Sequence, residues 1–140
     1  MAKHILKTDN SAAYDFMLFG IVCQSRDYKL CFEINRVMNL SLERGDDFEV
    51  SLNKGKDKIK NSRFEYGDGF GNEYFVFTNK TLTGLLIPEH KSIDFFMMIR
   101  EPAPQYEKAH VERQLRSIPV VLGAYYLEPE KLKTGDRLIF

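Results

Sequence analysis

Three segments of this chain are apolar on both faces if they are extended, and they limit the folds that it can adopt. They are residues 14–23, 93–99 and 120–127, with the sequences YDFMLFGIVC, IDFFMMI and VVLGAYYL. A strand of this kind lies inside a sheet that other elements cover above and below. Gly20, within the first segment, marks a bulge or a close approach of another chain segment. We therefore predict a sheet that needs cover on each of its two faces.

Two helices are predicted to supply that cover. The first has Ser25 as its N-cap, because a serine hydroxyl can accept a first-turn amide hydrogen, and it ends within residues 39–42. The second spans residues 105–117 and has a narrower apolar stripe. The stripes recur at helical spacing and comprise Leu30, Cys31, Ile34, Val37 and Met38 in the first helix and Val111, Leu115 and Ile118 in the second.

The rest of the chain is predicted as strands and their connections. We predict strands at residues 3–7, 47–53 and 80–88, a hairpin at residues 63–79, a polar connection at residues 54–61 and an end without structure at residues 135–140. This order favours an α+β fold with a mainly antiparallel sheet of about six to eight strands and two principal α-helices. The length of 140 residues suits a single domain spanning residues 1–140.

The predicted sheet has more apolar surface than two helices can cover, and this excess predicts association with another protein chain. If both helices pack on one face, the other face exposes several Phe, Tyr and Met side chains. Apolar patches beyond several hundred Å² are rarely left open to water. We therefore predict a homodimer or a protein partner, held through a groove lined by aromatic and methionine side chains.

Charge and cysteine content narrow the cellular compartment and the kinds of partner that are expected. Lys plus Arg equals Asp plus Glu, 20 against 20, so no net field draws the protein to nucleic acid or to an anionic membrane. Cys23 and Cys31 are predicted to be free, buried thiols in a reducing cytosol. We find no pattern of a signal peptide, and the apolar runs are too short to cross a bilayer. A cytoplasmic protein with no membrane contact is expected.

The stretch IPEHKSIDF, residues 87–95, supports two interpretations. Glu89, His90 and Asp94 could converge as an acid, a base and an orienting group. Alternatively, residues 84–88 and 93–100 are neighbouring strands joined by a polar turn. Asp94 then reaches water or is held by backbone N–H groups. We favour the structural interpretation, because buried polar groups are nearly always satisfied pairs.

The same stretch resembles the signature of the IPExxxVDY family. This uncharacterised family of small bacterial proteins is named for its motif, Ile-Pro-Glu, three variable residues, then Val-Asp-Tyr. The segments at residues 27–40 and 125–133 also look similar to that family. The resemblance implies a family and no mechanism. The motif positions are Ile87, Pro88, Glu89 and Asp94, which match outright, and Ile93 and Phe95, which stand where the family has Val and Tyr.

A lysine-rich stretch is the candidate for a nucleic-acid contact. Its basic residues are Lys54, Lys56, Lys58, Lys60 and Arg63. The four lysines alternate, so an extended chain presents them on one side, and Phe64 and Tyr66 follow as rings on which bases could stack. Alternatively, the lysines protect a strand edge or loop from pairing with another chain. We favour this second interpretation, since four lysines in a neutral protein release few counterions.

Other signals of chemistry are weak. His4, His90 and His110 are scattered, and no serine lies in a nucleophile-elbow pattern. GDGFG, residues 67–71, reads as a hairpin turn because a strand rather than a helix follows it. No metal and no cofactor are expected. We predict a small non-catalytic interaction or regulatory module with an unknown ligand; the alternative is a small-molecule binder or minor enzyme that uses Glu89, His90 and Asp94.

Overall fold

The computed structural model describes residues 15–52, 55–100 and 107–140. The predicted strand at residues 3–7 lies outside them. The elements in chain order are β1 (Phe16–Cys23), α1 (Asp27–Met38), β2 (Glu43–Arg44), β3 (Phe48–Leu52), β4 (Asp57–Asn61), β5 (Arg63–Gly67), β6 (Glu73–Thr78), β7 (Lys80–Thr81), β8 (Gly84–Leu85), β9 (Phe95–Arg100), α2 (Lys108–Arg116) and β10 (Val121–Leu127), followed by short 3₁₀ turns at Pro129–Lys131 and Gly135–Leu138.

Six strands form the main sheet, and their order is β10-β1-β9-β6-β5-β2. Every pairing in it is antiparallel. β3 pairs with β4 and β7 with β8 in two small separate sheets. The predicted α+β class, the mainly antiparallel sheet and the two principal helices are therefore confirmed.

Both helices pack on one face of the main sheet. β1 turns alternate side chains, including Phe19 and Ile21, toward them, as the period of two in a strand requires. Val111, Leu115 and Ile118 are fully buried in this layer, which confirms the narrow stripe predicted for α2. The stripe of α1 contributes Leu30, Cys31 and Ile34 as buried residues.

The opposite face of the sheet is covered by the chain itself. Phe77, Phe96 and Met98 face this side and are buried beneath the β3–β4 hairpin, residues 86–93 and the last 3₁₀ turn. The prediction of an uncovered apolar face is therefore wrong. It counted only helices as cover, whereas short strands and a 3₁₀ turn bury apolar surface equally well. Leu138, in the segment predicted to lack structure, is 1% exposed.

One connection in the predicted scheme is a strand, and one predicted strand is not. Residues 57–61 form β4 and pair with β3 instead of forming a polar loop. Residues 80–88 form no single strand, because Thr81 bonds the carbonyl and amide of Gly84 and turns the chain back as the β7–β8 hairpin. Residues 84–88 do not pair with β9, whose neighbours are β1 and β6.

The ends of α1 differ partly from the prediction. Its N-cap is Arg26, without a side-chain capping bond, so the assignment of Ser25 as N-cap is wrong. The helix ends after Met38 as expected, because Asn39 adopts a left-handed conformation with φ of 57°.

β10 is an edge strand and not a strand buried on both faces. Leu122 is 69% and Tyr125 47% exposed. The register against β1 shifts beside Val22, so Leu122 forms a bulge. Of the three segments predicted to be buried on both faces, the two that contain β1 and β9 are buried in this way, and the one that contains β10 is not.

Candidate functional site

A buried asparagine that the sequence analysis missed holds the motif segment in place. Asn79 is 0% exposed. Its Oδ1 accepts the amide hydrogen of Ile87 at 2.8 Å, and its Nδ2 donates to the carbonyl oxygens of Ile93 at 2.8 Å and His90 at 3.0 Å. All polar atoms of the Asn79 side chain are thus used on one turn. A lone asparagine after a strand carries no signal of such contacts in sequence.

The apolar motif residues are core residues. Ile87, Ile93 and Phe95 are at most 5% exposed. Ile93 packs on the backbone of Gly20, where a Cβ atom would lie 2.8 Å from Ile93 Cδ1. The close approach predicted at Gly20 is therefore confirmed. Pro88 is half-buried where the chain turns away from this contact.

Glu89 joins the motif to a segment 45 residues further along the chain. Its carboxylate accepts the amide hydrogen of Thr134 at 2.9 Å and the Thr134 hydroxyl hydrogen at 2.8 Å. Partial burial acts to raise the pKa of Glu89, but the hydrogen bonds from the Thr134 amide and hydroxyl, together with those from the amides of Glu89 and Lys133, outweigh it, and the pKa lies below its ordinary value. Glu89 is therefore a tether for the 134–140 segment.

Asp94 fastens the beginning of β9 to its neighbours. Its Oδ2 accepts the amide hydrogen of Cys23 at 2.8 Å, and its Oδ1 lies 2.9 Å from the ammonium of Lys80. The prediction that a backbone N–H group holds Asp94 is confirmed. The ion pair is partly exposed, so the amide bond is the stronger structural contribution.

The structure does not join Glu89, His90 and Asp94 into one constellation. The carboxylates bind different elements, Thr134 in one case and Cys23 with Lys80 in the other. Within residues 15–52, 55–100 and 107–140, no three His, Cys, Asp or Glu side chains are placed to hold a metal ion. Among the described residues, no contact supports acid–base chemistry at this turn.

The candidate basic surface is partly neutralised. Lys56, Lys58 and Lys60 are exposed, as predicted for lysines that alternate along one side. Lys58 lies 3.2 Å from Glu49, and Lys60 stands opposite Glu49 in the register of β3 with β4. Lys54 lies outside the described residues.

The other residues of this candidate interface are engaged in the fold. Arg63 lies 3.7 Å from Glu65. Phe64 is 8% exposed in the core under the helices, so its ring is not open for base stacking. Tyr66 is half-buried and stacks on Tyr74 with ring centroids 5.9 Å apart. The structure therefore does not present the lysines together with open aromatic rings.

A groove of about 560 Å³ separates β3 from the 134–140 segment. Its apolar lining includes Phe48 and Val50 on one side and Ile139 and Phe140 on the other. Ile139 is 39% and Phe140 45% exposed. Phe48 and Phe140 are the aromatic residues of this lining, whereas Met97 and Met98 are buried in the core.

Side-chain anchors fix the outer wall of this groove. Arg137 donates to the carbonyl oxygen of Leu86 at 2.8 Å, and Arg100 donates to the main-chain oxygen of Phe140 at 2.8 Å. The Phe140 ring lies 5.1 Å from that of Phe48 and 5.2 Å from that of Phe75. With the tether from Glu89, these contacts make the wall a positioned surface.

β10 and β3 each have one edge that pairs with no other described strand, and these two edges differ. On β10, Glu112 accepts the amide hydrogen of Tyr126 at 2.6 Å, and Arg116 donates to the carbonyl oxygen of Ala124 at 2.9 Å. Both bonds occupy backbone groups that an added strand would need. β3 pairs with β4 alone among the described strands, and its other edge borders the groove.

A second hollow of about 450 Å³ lies at the β2 end of the sheet. Glu43, Glu65 and Glu73 line it. Glu65 lies near Arg63, and Glu73 accepts from Arg100 at 3.0 Å, so the neighbouring arginines offset much of the charge. Carboxylates balanced in this way give no indication of a bound cation.

No protein-family model matches the chain, and no curated protein matches it either. The resemblance of residues 87–95 to the IPExxxVDY family therefore stays a prediction. In the part of the chain that the structure describes, neither helix has the length and apolar character needed to span a membrane.

Proposed function

We propose that this protein is a small cytoplasmic, non-catalytic interaction module that associates through the groove between β3 and the 134–140 segment. The observation that carries the proposal is the strand edge of β3, which faces a groove lined by the exposed side chains of Ile139 and Phe140. Proteins protect such edges unless they use them. β10 shows that protection, and the described neighbours of β3 do not supply it.

The reactive side chains favour binding over catalysis. Glu89 and Asp94 hold the fold together through amide hydrogens of Thr134 and Cys23. Burial raises the pKa of the Cys31 thiol well above its ordinary value, so thiolate chemistry is suppressed. Cys23 and Cys31 are both free and buried, as expected for a protein of a reducing compartment.

A homodimer is one form of this association. The uncovered sheet face that first suggested a dimer does not exist, so a second copy needs another surface. We place it at the groove and not at β10, because Glu112 and Arg116 occupy the outer backbone groups of that strand. A partner protein of different sequence would use the same groove.

Site-specific photo-crosslinking tests the proposal. A photoreactive amino acid is placed at Ser51, in the groove, or at the exposed control position His110 on the helical side of the sheet. We expect a discrete adduct from position 51 alone, in lysate of the protein's own cells. Ile139→Asp should remove it, because a charge would enter the apolar lining.

The adduct also distinguishes the two forms of association. A mass of two chains identifies the homodimer, and size-exclusion chromatography with light scattering should then give the same stoichiometry. An adduct with another protein identifies a heterologous partner. Equal labelling from positions 51 and 110, or none from either, would contradict the groove as the association surface.

A further inference from the structure

We propose that the occupant of the groove is an extended peptide segment that adds to β3 as a strand and alternates basic with apolar side chains. This inference rests on the proposed function and names the chemistry of the partner. Three features of the groove carry it: the edge of β3, the two kinds of side chain along it, and the carboxylates at its rim.

The backbone of β3 supplies the register. Phe48–Leu52 pairs with Asp57–Asn61 on one side. On its other side, no backbone hydrogen bond to another described residue is formed. Every second residue of a strand directs its N–H and C=O groups outward, so a peptide can continue the ladder. Five strand residues extend about 17 Å, so the added segment needs a similar number.

The alternation along β3 sets the pattern of the peptide. Phe48 and Val50 turn toward the core, and Glu49 and Ser51 turn away from it. Side chains of an added strand line up with their neighbours face by face. One set of peptide side chains therefore lies beside Phe48 and Phe140 and is apolar, whereas the other set lies beside Glu49.

The charges at the rim select basic over acidic side chains. Glu49 and Asp136 are the acidic residues of the groove lining. Arg137, the basic residue of the lining, turns its guanidinium to the carbonyl oxygens of Leu85 and Leu86. Glu49 has two lysines of β4 beside it, Lys58 at 3.2 Å and Lys60 opposite in the register. Both lysines are exposed and exposed ion pairs are weak, so a peptide cation can share this carboxylate.

Peptide titration followed by amide NMR shifts tests the inference. The probe has four lysines alternating with three valines, and the matched control has the same residues in two blocks. A second control carries methyl groups on alternate backbone nitrogens, and a third has glutamates in place of the lysines. We expect the alternating peptide to shift the amides of Phe48–Leu52 and each control to bind roughly tenfold more weakly or worse.

A charge reversal in the protein sharpens the test. Glu49 is 44% exposed at its side chain, so Glu49→Lys should leave the circular dichroism spectrum unchanged. The substitution should lower the affinity for the lysine peptide and raise the affinity for the glutamate peptide, each by about threefold to tenfold. Equal binding of the blocked or N-methylated peptide would overturn the added-strand mode.

The outcomes separate this inference from the proposed function. If the alternating peptide does not bind while the adduct from position 51 forms, the partner is not a basic extended segment and the inference fails alone. If neither occurs, both fail. Binding of the alternating peptide with loss on N-methylation and reversal by Glu49→Lys supports the inference.

Discussion

Replacing Asn79 with alanine tests whether the motif segment is a structural clamp. The side chain is fully buried and makes three hydrogen bonds to Ile87, His90 and Ile93. Asn79→Ala removes all three and leaves the amide hydrogen of Ile87, itself 0% exposed, without a partner. Asn61 offers a matched control because it is also 0% exposed.

The expected cost follows from the bonds on each side chain. A neutral hydrogen bond contributes about 1 kcal/mol, and a buried group left unpaired costs about 1–3 kcal/mol. Asn79→Ala should therefore lower the free energy of unfolding by about 4 kcal/mol. At Asn61, Nδ2 donates to Thr78, but Oδ1 has no partner among the described residues. Asn61→Ala also removes this unpaired oxygen, so it should cost only about 0–1 kcal/mol.

Urea unfolding followed by circular dichroism measures both variants. With an m-value of roughly 2 kcal/mol per molar urea, the midpoint of Asn79→Ala should fall by about 2 M. The midpoint of Asn61→Ala should fall by about 0.5 M or less. Equal midpoints for the two variants would refute the reasoning, because the substitutions delete the same atoms and differ only in the bonds lost.

Substitutions at three other positions test the remaining contacts of the motif. Gly20→Ala should lower the free energy of unfolding by about 1–2 kcal/mol. The loss should be smaller in an Ile93→Val background, because Ile93→Val removes the Cδ1 atom that would crowd the new Cβ atom. Equal losses in the two backgrounds, measured by denaturant melts, would argue against this contact. Asp94→Ala should lower the free energy of unfolding by about 1–3 kcal/mol, because it leaves the amide of Cys23 unpaired, whereas Asp94→Asn should lower it by under about 1 kcal/mol. Thermal melts measure both variants, and equal losses of stability would mean that the charge of Asp94 matters more than its hydrogen bond. Glu89 has a folded pKa below its ordinary value of 4.5, so its stabilisation is present above that pH and lost as the pH falls through the folded pKa. Thermal melts should show Glu89→Gln less stable than the parent protein by about 1 kcal/mol at neutral pH, and this difference should shrink as the pH is lowered below 4.5; a difference that stays constant would contradict the tether.

The sequence predicted the parts of the fold that have a strong local pattern. Residues 14–23 and 93–99 are apolar runs interrupted only by Asp15 and Asp94, and they contain the central strands β1 and β9. Val111 and Leu115 recur at helical spacing and are buried. In each case the physical signal, an apolar run or a period of 3.6 residues, is contained within one element.

The short elements that cover the face of the sheet opposite the helices have no such pattern. In β4 the lysines outnumber Ile59, the apolar residue that turns inward, so the segment looks like a loop. β7 and β8 have two residues each, too few for any period. Counting helices alone therefore overestimated the open surface of the sheet.

The candidate site depended on contacts between distant segments. Glu89 meets Thr134 across 45 residues, and Asp94 meets Cys23 across 71. Spacing along the chain cannot show which distant groups these two carboxylates bind. The groove itself is formed by β3 and the 134–140 segment, and neither of them was predicted as part of a site.

Amide hydrogen exchange at Cys23, Ile87 and Thr134 tests most directly that residues 87–95 are a structural clamp and not a reaction centre. Each amide donates to a side chain of this clamp, Asp94, Asn79 and Glu89 respectively. We predict slow exchange at all three in the native protein, with Ile87 protected as strongly as the amides of β1. Fast exchange at Ile87 or Cys23 would show that these bonds do not persist, and the account would be contradicted.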